Sequence, residues 1–106
     1  MTETPIRTTL PIGNTVEQLH ALADIVIERQ RQDHRFPEQA PGQPGAEGAV
    51  LLSVLVEQVE EVAMVATTEG DMVLRRELIE VAAVCVKWLE ALDRKAQRDR
   101  MHEAVK

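Results

Sequence analysis

Residues 49–68 read AVLLSVLVEQVEEVAMVATT. Placed at 100° per residue, their apolar side chains reach every side of a helix instead of forming one stripe. Gly70 follows as a stop, and Asp71 is placed to cap a third helix running to about Arg94 or beyond. That helix contains VAAVCVKWL at residues 81–89, again apolar all round between Val81 and Val86. The connection is two or three residues long, so the two helices are expected as antiparallel neighbours. A helix that is apolar on every side is buried on every side. A chain of 106 residues with three helices cannot enclose two of them. The pattern therefore predicts an all-α helical bundle with a central antiparallel helix hairpin, its core completed by homo-oligomerisation.

Outward from that hairpin, Thr15 with Gln18 three residues on fits a capping box and opens a first helix over about 15–34. Val16, Leu19, Ala23 and Val26 recur at helical spacing and make it amphipathic, and Glu28 to Asp33 make its end polar. Residues 37–48, PEQAPGQPGAEG, hold three prolines and three glycines, a density that excludes a long helix or a central strand. Residues 1–13 read as an irregular arm and residues 95–106 as a charged tail, frayed or continuing the helix. The whole is one domain.

Composition removes several function classes. With 18 acidic against 12 basic side chains the net charge is -6, against a nucleic-acid partner, which needs clustered Lys and Arg. Aromatic residues are 2% of the chain, Phe36 and Trp88 alone, too few for a β-sandwich or barrel. A single cysteine, Cys85, excludes an internal disulfide and a cysteine-based zinc site, and is expected as a small buried apolar residue. No stretch approaches 18 apolar residues, so no membrane association is expected, and the location is expected to be cytoplasmic.

Acidic residues stand inside the apolar hairpin. Glu57 and Glu61 lie one turn apart on the first of its helices, with Glu60 and Gln58 between them. Glu77 and Glu80 share a face of the second. Facing pairs of carboxylates among apolar side chains repel one another, and either take up protons or are neutralised by a cation. Oxygen donors without His or Cys suit Mg²⁺, with Mn²⁺ as the substitute. The alternative is a solvated stripe paired with Arg75 and Arg76.

These residues resemble a known family. Leu55-Val56-Glu57-Gln58-Val59-Glu60-Glu61-Val62-Ala63, then Leu74-Arg75-Arg76-Glu77-Leu78-Ile79-Glu80-Val81-Ala82, looks like the acidic signature of MazG-like nucleotide pyrophosphohydrolases. That signature is Glu-Glu-x-x-Glu on one helix and Glu-x-x-Asp on the next. Lys87-Trp88-Leu89-Glu90-Ala91-Leu92-Asp93-Arg94 resembles the ending of the short phage and actinobacterial branch. Glu28-Arg29-Gln30-Arg31-Gln32 and Phe36-Pro37-Glu38-Gln39 resemble its upstream motifs, so the likeness covers residues 25–94. It implies an all-α homodimer or homotetramer that hydrolyses a nucleoside triphosphate to monophosphate and pyrophosphate with Mg²⁺. Glu57, Glu61, Glu77 and Glu80 would then be metal ligands, with Glu61 and Glu77 catalytic. Gln58 stands where the family has a second Glu, and Glu80 where it has Asp. Both Glu57-x-x-Glu60 and the Glu61 register have the family spacing.

Gln32 and Phe36 are candidates for the nucleobase, Phe36 holding the family's aromatic position. Lys87 and Arg94 follow Glu80 at seven-residue steps and are candidates for phosphate oxygens, against a solvated face with surface ion pairs. Two Asp/Glu-x-x-His pairs, at Glu17–His20 and Asp99–His102, have di-iron spacing but sit near opposite ends of the chain. Gln58 motivates the contrasting reading, a catalytically weakened MazG-like nucleotide-binding or helical interaction module.

Overall fold

The structure is a computed structural model that describes residues 15–105. The expected arm at 1–13 and Lys106 lie outside the described residues. Helix α1 spans Val16–Arg35, α2 Gly48–Thr68 and α3 Asp71–Ala104, and among the described residues there is no strand. No described helix is long and apolar enough to cross a membrane.

Local chemistry accounts for the ends. Thr15 is the N-cap of α1, its hydroxyl accepting from the Gln18 amide at 3.1 Å. Glu69 and Gly70 are both extended, and this two-residue break separates α2 from α3. Gly70 has φ -82°, so no left-handed glycine terminates α2. Gly70, not Asp71, is the N-cap of α3, and Asp71 is the first helical residue. There its charge still complements the positive end of the helix. The charged tail continues α3 as far as Ala104.

The Pro/Gly segment is folded. Pro37 and Pro44 each open a short 3₁₀ turn, where a missing N–H costs nothing. A side chain at Gly45 would meet the Glu38 carbonyl oxygen at 2.3 Å, so only glycine lets the two turns close on each other. Gly42 (φ +92°) faces Arg94 of α3. Gly48 at the start of α2 lies against the half-buried Trp88 ring of α3.

Helix α3 packs against both α1 and α2. The fully buried apolar residues are few: Ala46, Leu51, Ala83 and Val84. Along α2 only Leu51 is fully buried, while Leu52, Val56 and Val59, at i, i+4 and i+7, are each about half exposed. Leu78, Cys85, Leu89 and Leu92 repeat the pattern on α3. Cys85 is thus exposed, not buried as its chemistry suggested. The radius of gyration is 16.8 Å, whereas a compact chain of this length has about 13 Å.

Helix α1 departs most from its pattern. Its apolar residues Val16, Leu19, Ala23 and Val26 face outward. It docks instead through Ile25, Glu28, Arg29 and Gln32. Arg29 is buried and grips Glu90 of α3 through two hydrogen bonds of 3.0 and 2.9 Å, and also Asp33. The two charge-assisted bonds of this fork fix the face that α1 turns to α3.

Candidate functional site

Glu57, Gln58 and Glu61 project from one side of α2 because residues four apart are neighbours on a helix. With Val54 they form one wall of a cleft of about 420 Å³, and Phe36 and Gln39 form the other. Glu57, Glu60 and Glu61 are all exposed, and of the three only Glu57 and Glu61 line the cleft. Phe36 ends α1, is 40% exposed, and carries the Arg35 guanidinium 5.3 Å from its ring centroid.

Glu77 and Glu80 approach from α3, both half-buried. Glu77 Oε1 is buried with no hydrogen-bond partner, as is Gln58 Oε1 from α2. Burial pushes the Glu80 carboxyl above the ordinary glutamate range; Glu77 and Glu28 push it the same way, Arg31 opposes them, and Glu61 adds a smaller push. One carboxylate therefore feels acidic groups from all three helices. Arg75 does not neutralise them, since it pairs with Asp24 at 2.8 Å, and no described ion pair involves Arg76. The pairing with these two arginines does not hold, but Glu57, Glu60 and Glu61 are solvent-exposed, as the solvated-stripe reading has it.

Glu28 was not singled out as a site residue from the sequence. Its side chain is 12% exposed, and Arg31 binds both of its oxygens at 2.8 and 2.9 Å. Only its place in the Glu-Arg-x-Arg-Gln run signalled it. Gln32 is buried and does not line the cleft, donating to Glu28 Oε2 at 3.3 Å and to the Glu80 carbonyl at 3.4 Å.

The remaining candidates lie elsewhere. Lys87 is buried, contrary to a solvated face; burial lowers the pKa of its ammonium, Arg29 lowers it further, and Asp33, Glu38 and Glu90 oppose. Arg94 is exposed and lines a cleft with Gly42, Gln97, Arg98 and Met101. Neither lines the cleft of Glu57 and Glu61. His20 and His102 are both exposed.

The four glutamates offer hard oxygens, of which Glu77 Oε1 alone is buried without a partner, and such oxygens suit Mg²⁺ in kind. Among the described residues, no three Asp, Glu, His or Cys side chains converge closely enough to hold a metal by themselves. Mg²⁺ does not require that: it is commonly held by one or two carboxylates, waters and substrate phosphates.

The raised Glu80 pKa gives a pH dependence with a definite sign. The folded chain holds a proton that the unfolded chain releases, so Glu80 makes stability fall as pH rises from about 4.5, the ordinary value, through the raised one. Glu80→Gln removes that contribution. In EDTA the urea midpoint of Glu80→Gln, minus that of wild type, is expected to grow across this window and level off above it. Parallel profiles would contradict the assignment.

Compared with protein-family models, curated proteins and solved structures, the chain matches none of them.

Proposed function

We propose that this protein is a MazG-like nucleoside triphosphate pyrophosphohydrolase, working with Mg²⁺ in the cytoplasm. The observation that carries the reading is the cleft of Glu57, Gln58 and Glu61 against Phe36, beside Glu77 and Glu80 with an unpartnered buried oxygen. Glu57 and Glu61 are exposed, so the cost of an uncompensated charge falls on the half-buried pair Glu77 and Glu80, and a cation there would offset it. A triphosphate arriving with its own Mg²⁺ also accounts for polyanion binding by a chain of net charge -6.

One or two of Glu57, Glu61, Glu77 and Glu80, together with waters and substrate phosphates, would hold the ion, and Phe36 would offer its exposed ring to the base. Mg²⁺, when bound, lowers the pKa of water and offsets charge on phosphate oxygens. Glu61 or Glu77 accepts the proton of the attacking water. The water oxygen bonds to the α-phosphorus as the bond to the bridging oxygen breaks, and pyrophosphate leaves with that electron pair. Arg94 would act on phosphate only in an assembly that brings it nearer, whereas Lys87 is buried within the chain and is not available to a phosphate. The assembly we propose is a homodimer or homotetramer in which α2 and α3 form the central antiparallel hairpin. The short link at Glu69-Gly70 and the contact of Gly48 with Trp88 support that course of the two helices.

The test is pyrophosphate release from a full set of ribo- and deoxyribonucleoside triphosphates with Mg²⁺, then Mn²⁺. Release from at least one is expected. Thermal stabilisation by a nucleotide without any turnover would replace this reading with the weakened binding module, for which the neutral Gln58 is the motive.

A further inference from the structure

Two clefts open where the Pro/Gly segment meets the C-terminal part of α3. One, of about 380 Å³, is lined by Pro44, Trp88, Leu92 and Lys95. The other, of about 230 Å³, is lined by Arg94, Gln97 and Met101. Gly42 and Arg98 line both, so the two adjoin. The left-handed turn at Gly42 (φ +92°) sets the segment's backbone against Arg94, whose Nη1 would lie 3.8 Å from a side-chain carbon placed there.

The lining joins an apolar surface to positive charge. Trp88, Leu92 and Pro44 supply the first, and Lys95 and Arg98 the second. Glu47 is the one acidic residue of the larger cleft, and none lines the smaller. Lys95 is engaged by Asp99 at 3.6 Å, whereas no ion pair among the described residues involves Arg94 or Arg98. These two arginines stand one turn apart on α3, where like charges repel. The helix dipole does not account for them, because its pull is confined to the last turn, and His102 is the basic residue there. A solvated face does not account for them either: it needs no wall, and here the Pro/Gly segment builds one.

We propose that the adjoining clefts are a second ligand site, separate from the cleft of Glu57 and Glu61, for a small phosphorylated aromatic compound. Its ring lies with Trp88 and Leu92, and its phosphate bridges Arg94 and Arg98. Guanidinium groups meet phosphate oxygens in a planar fork, and a phosphate has oxygens enough for two of them. A concave site with an apolar, aromatic lining and a few charged groups is the common form of a small-molecule pocket. The site requires neither a cation nor triphosphate hydrolysis.

The chain has one Trp and no Tyr, so fluorescence excited at the red edge of the indole band reports Trp88 alone. The full chain is titrated in EDTA with phenyl phosphate, inorganic phosphate and phenol. Phenyl phosphate should change Trp88 emission saturably and bind about tenfold or more tighter than either of its parts. Arg98→Gln and Arg94→Gln should each weaken it by about tenfold or more. Arg100 is exposed and lines neither cleft, so Arg100→Gln should stay within about twofold. No saturable change, equal binding of phenol, or unchanged binding in both Arg94→Gln and Arg98→Gln overturns the proposal. An equal loss in Arg100→Gln and Arg98→Gln means general attraction to a basic helix end, and overturns it as well. If Trp88 emission responds to dilution and not to phenyl phosphate, a second copy fills the larger cleft and the proposal falls.

Discussion

Replacing Glu77 by glutamine is expected to cut pyrophosphate release by about 100- to 10,000-fold, the range for loss of a positioned acid or base. Glutamine has the same shape, so α3 keeps its packing. The change removes a charge and puts an NH₂ group where either carboxylate oxygen now lies. Glu77 Oε1 is buried without a partner, and the lost charge is the largest acidic neighbour of Glu80. Glu61→Gln, on the cleft wall, should have an effect of the same order. Glu60→Gln is the internal control: Glu60 is exposed and outside the cleft, so turnover should stay within about twofold, as for surface substitutions. Circular dichroism and sedimentation should confirm that each variant keeps its fold and mass. Full turnover in Glu77→Gln would remove this residue from the chemistry.

The second large effect is expected at Val59. Leu52, Val56 and Val59 line one face of α2 and are half exposed in the single chain. Sealing such side chains away from water is worth about 1.5–3 kcal/mol each when complete. A lysine there would have to leave water without a partner, which costs more than the valine gains. Val59→Lys should therefore weaken self-association by more than about 100-fold, roughly 2.7 kcal/mol. Light scattering behind a sizing column should show an oligomeric wild type and a monomeric variant. The monomer should also melt at a lower temperature. A monomeric wild type would mean that this face does not join copies of the chain.

Much of the architecture was legible in the residues. The all-round apolarity of residues 49–68 announced a helix short of cover, and α2 is such a helix, with Leu51 alone fully buried. Thr15 announced the start of α1, because capping depends on neighbours three residues away. The proline-rich segment was readable as non-helical, but its close fold depends on Gly45 meeting Glu38, a contact that spacing does not encode.

The candidate site divides in the same way. That carboxylates stand at Glu57, Glu61, Glu77 and Glu80 is a matter of sequence, as is their presence on helix faces. That Glu61 lines a cleft and Glu60 does not depends on how α2 is rotated against Phe36 and Gln39. Glu28 joins the group because α1 docks by its polar side, reversing the face that Val16, Leu19, Ala23 and Val26 suggested. Lys87 was readable as a phosphate candidate or as part of a solvated face, and it is neither: it is buried, with Arg29, Asp33, Glu38 and Glu90 around it.

The sequence by itself determined what short-range physics decides: which segments are helical, where they start, that the apolar surface exceeds what one chain covers, and that acidic groups interrupt it. Only the tertiary structure decided which face each helix turns inward. On α1 that choice went to the Arg29–Glu90 fork and the Gln32 amide, not to the apolar stripe. Periodicity ranks faces by apolarity, whereas docking compares whole interactions. Two directed bonds to a charged partner sixty-one residues away enter that comparison only once the chain has folded.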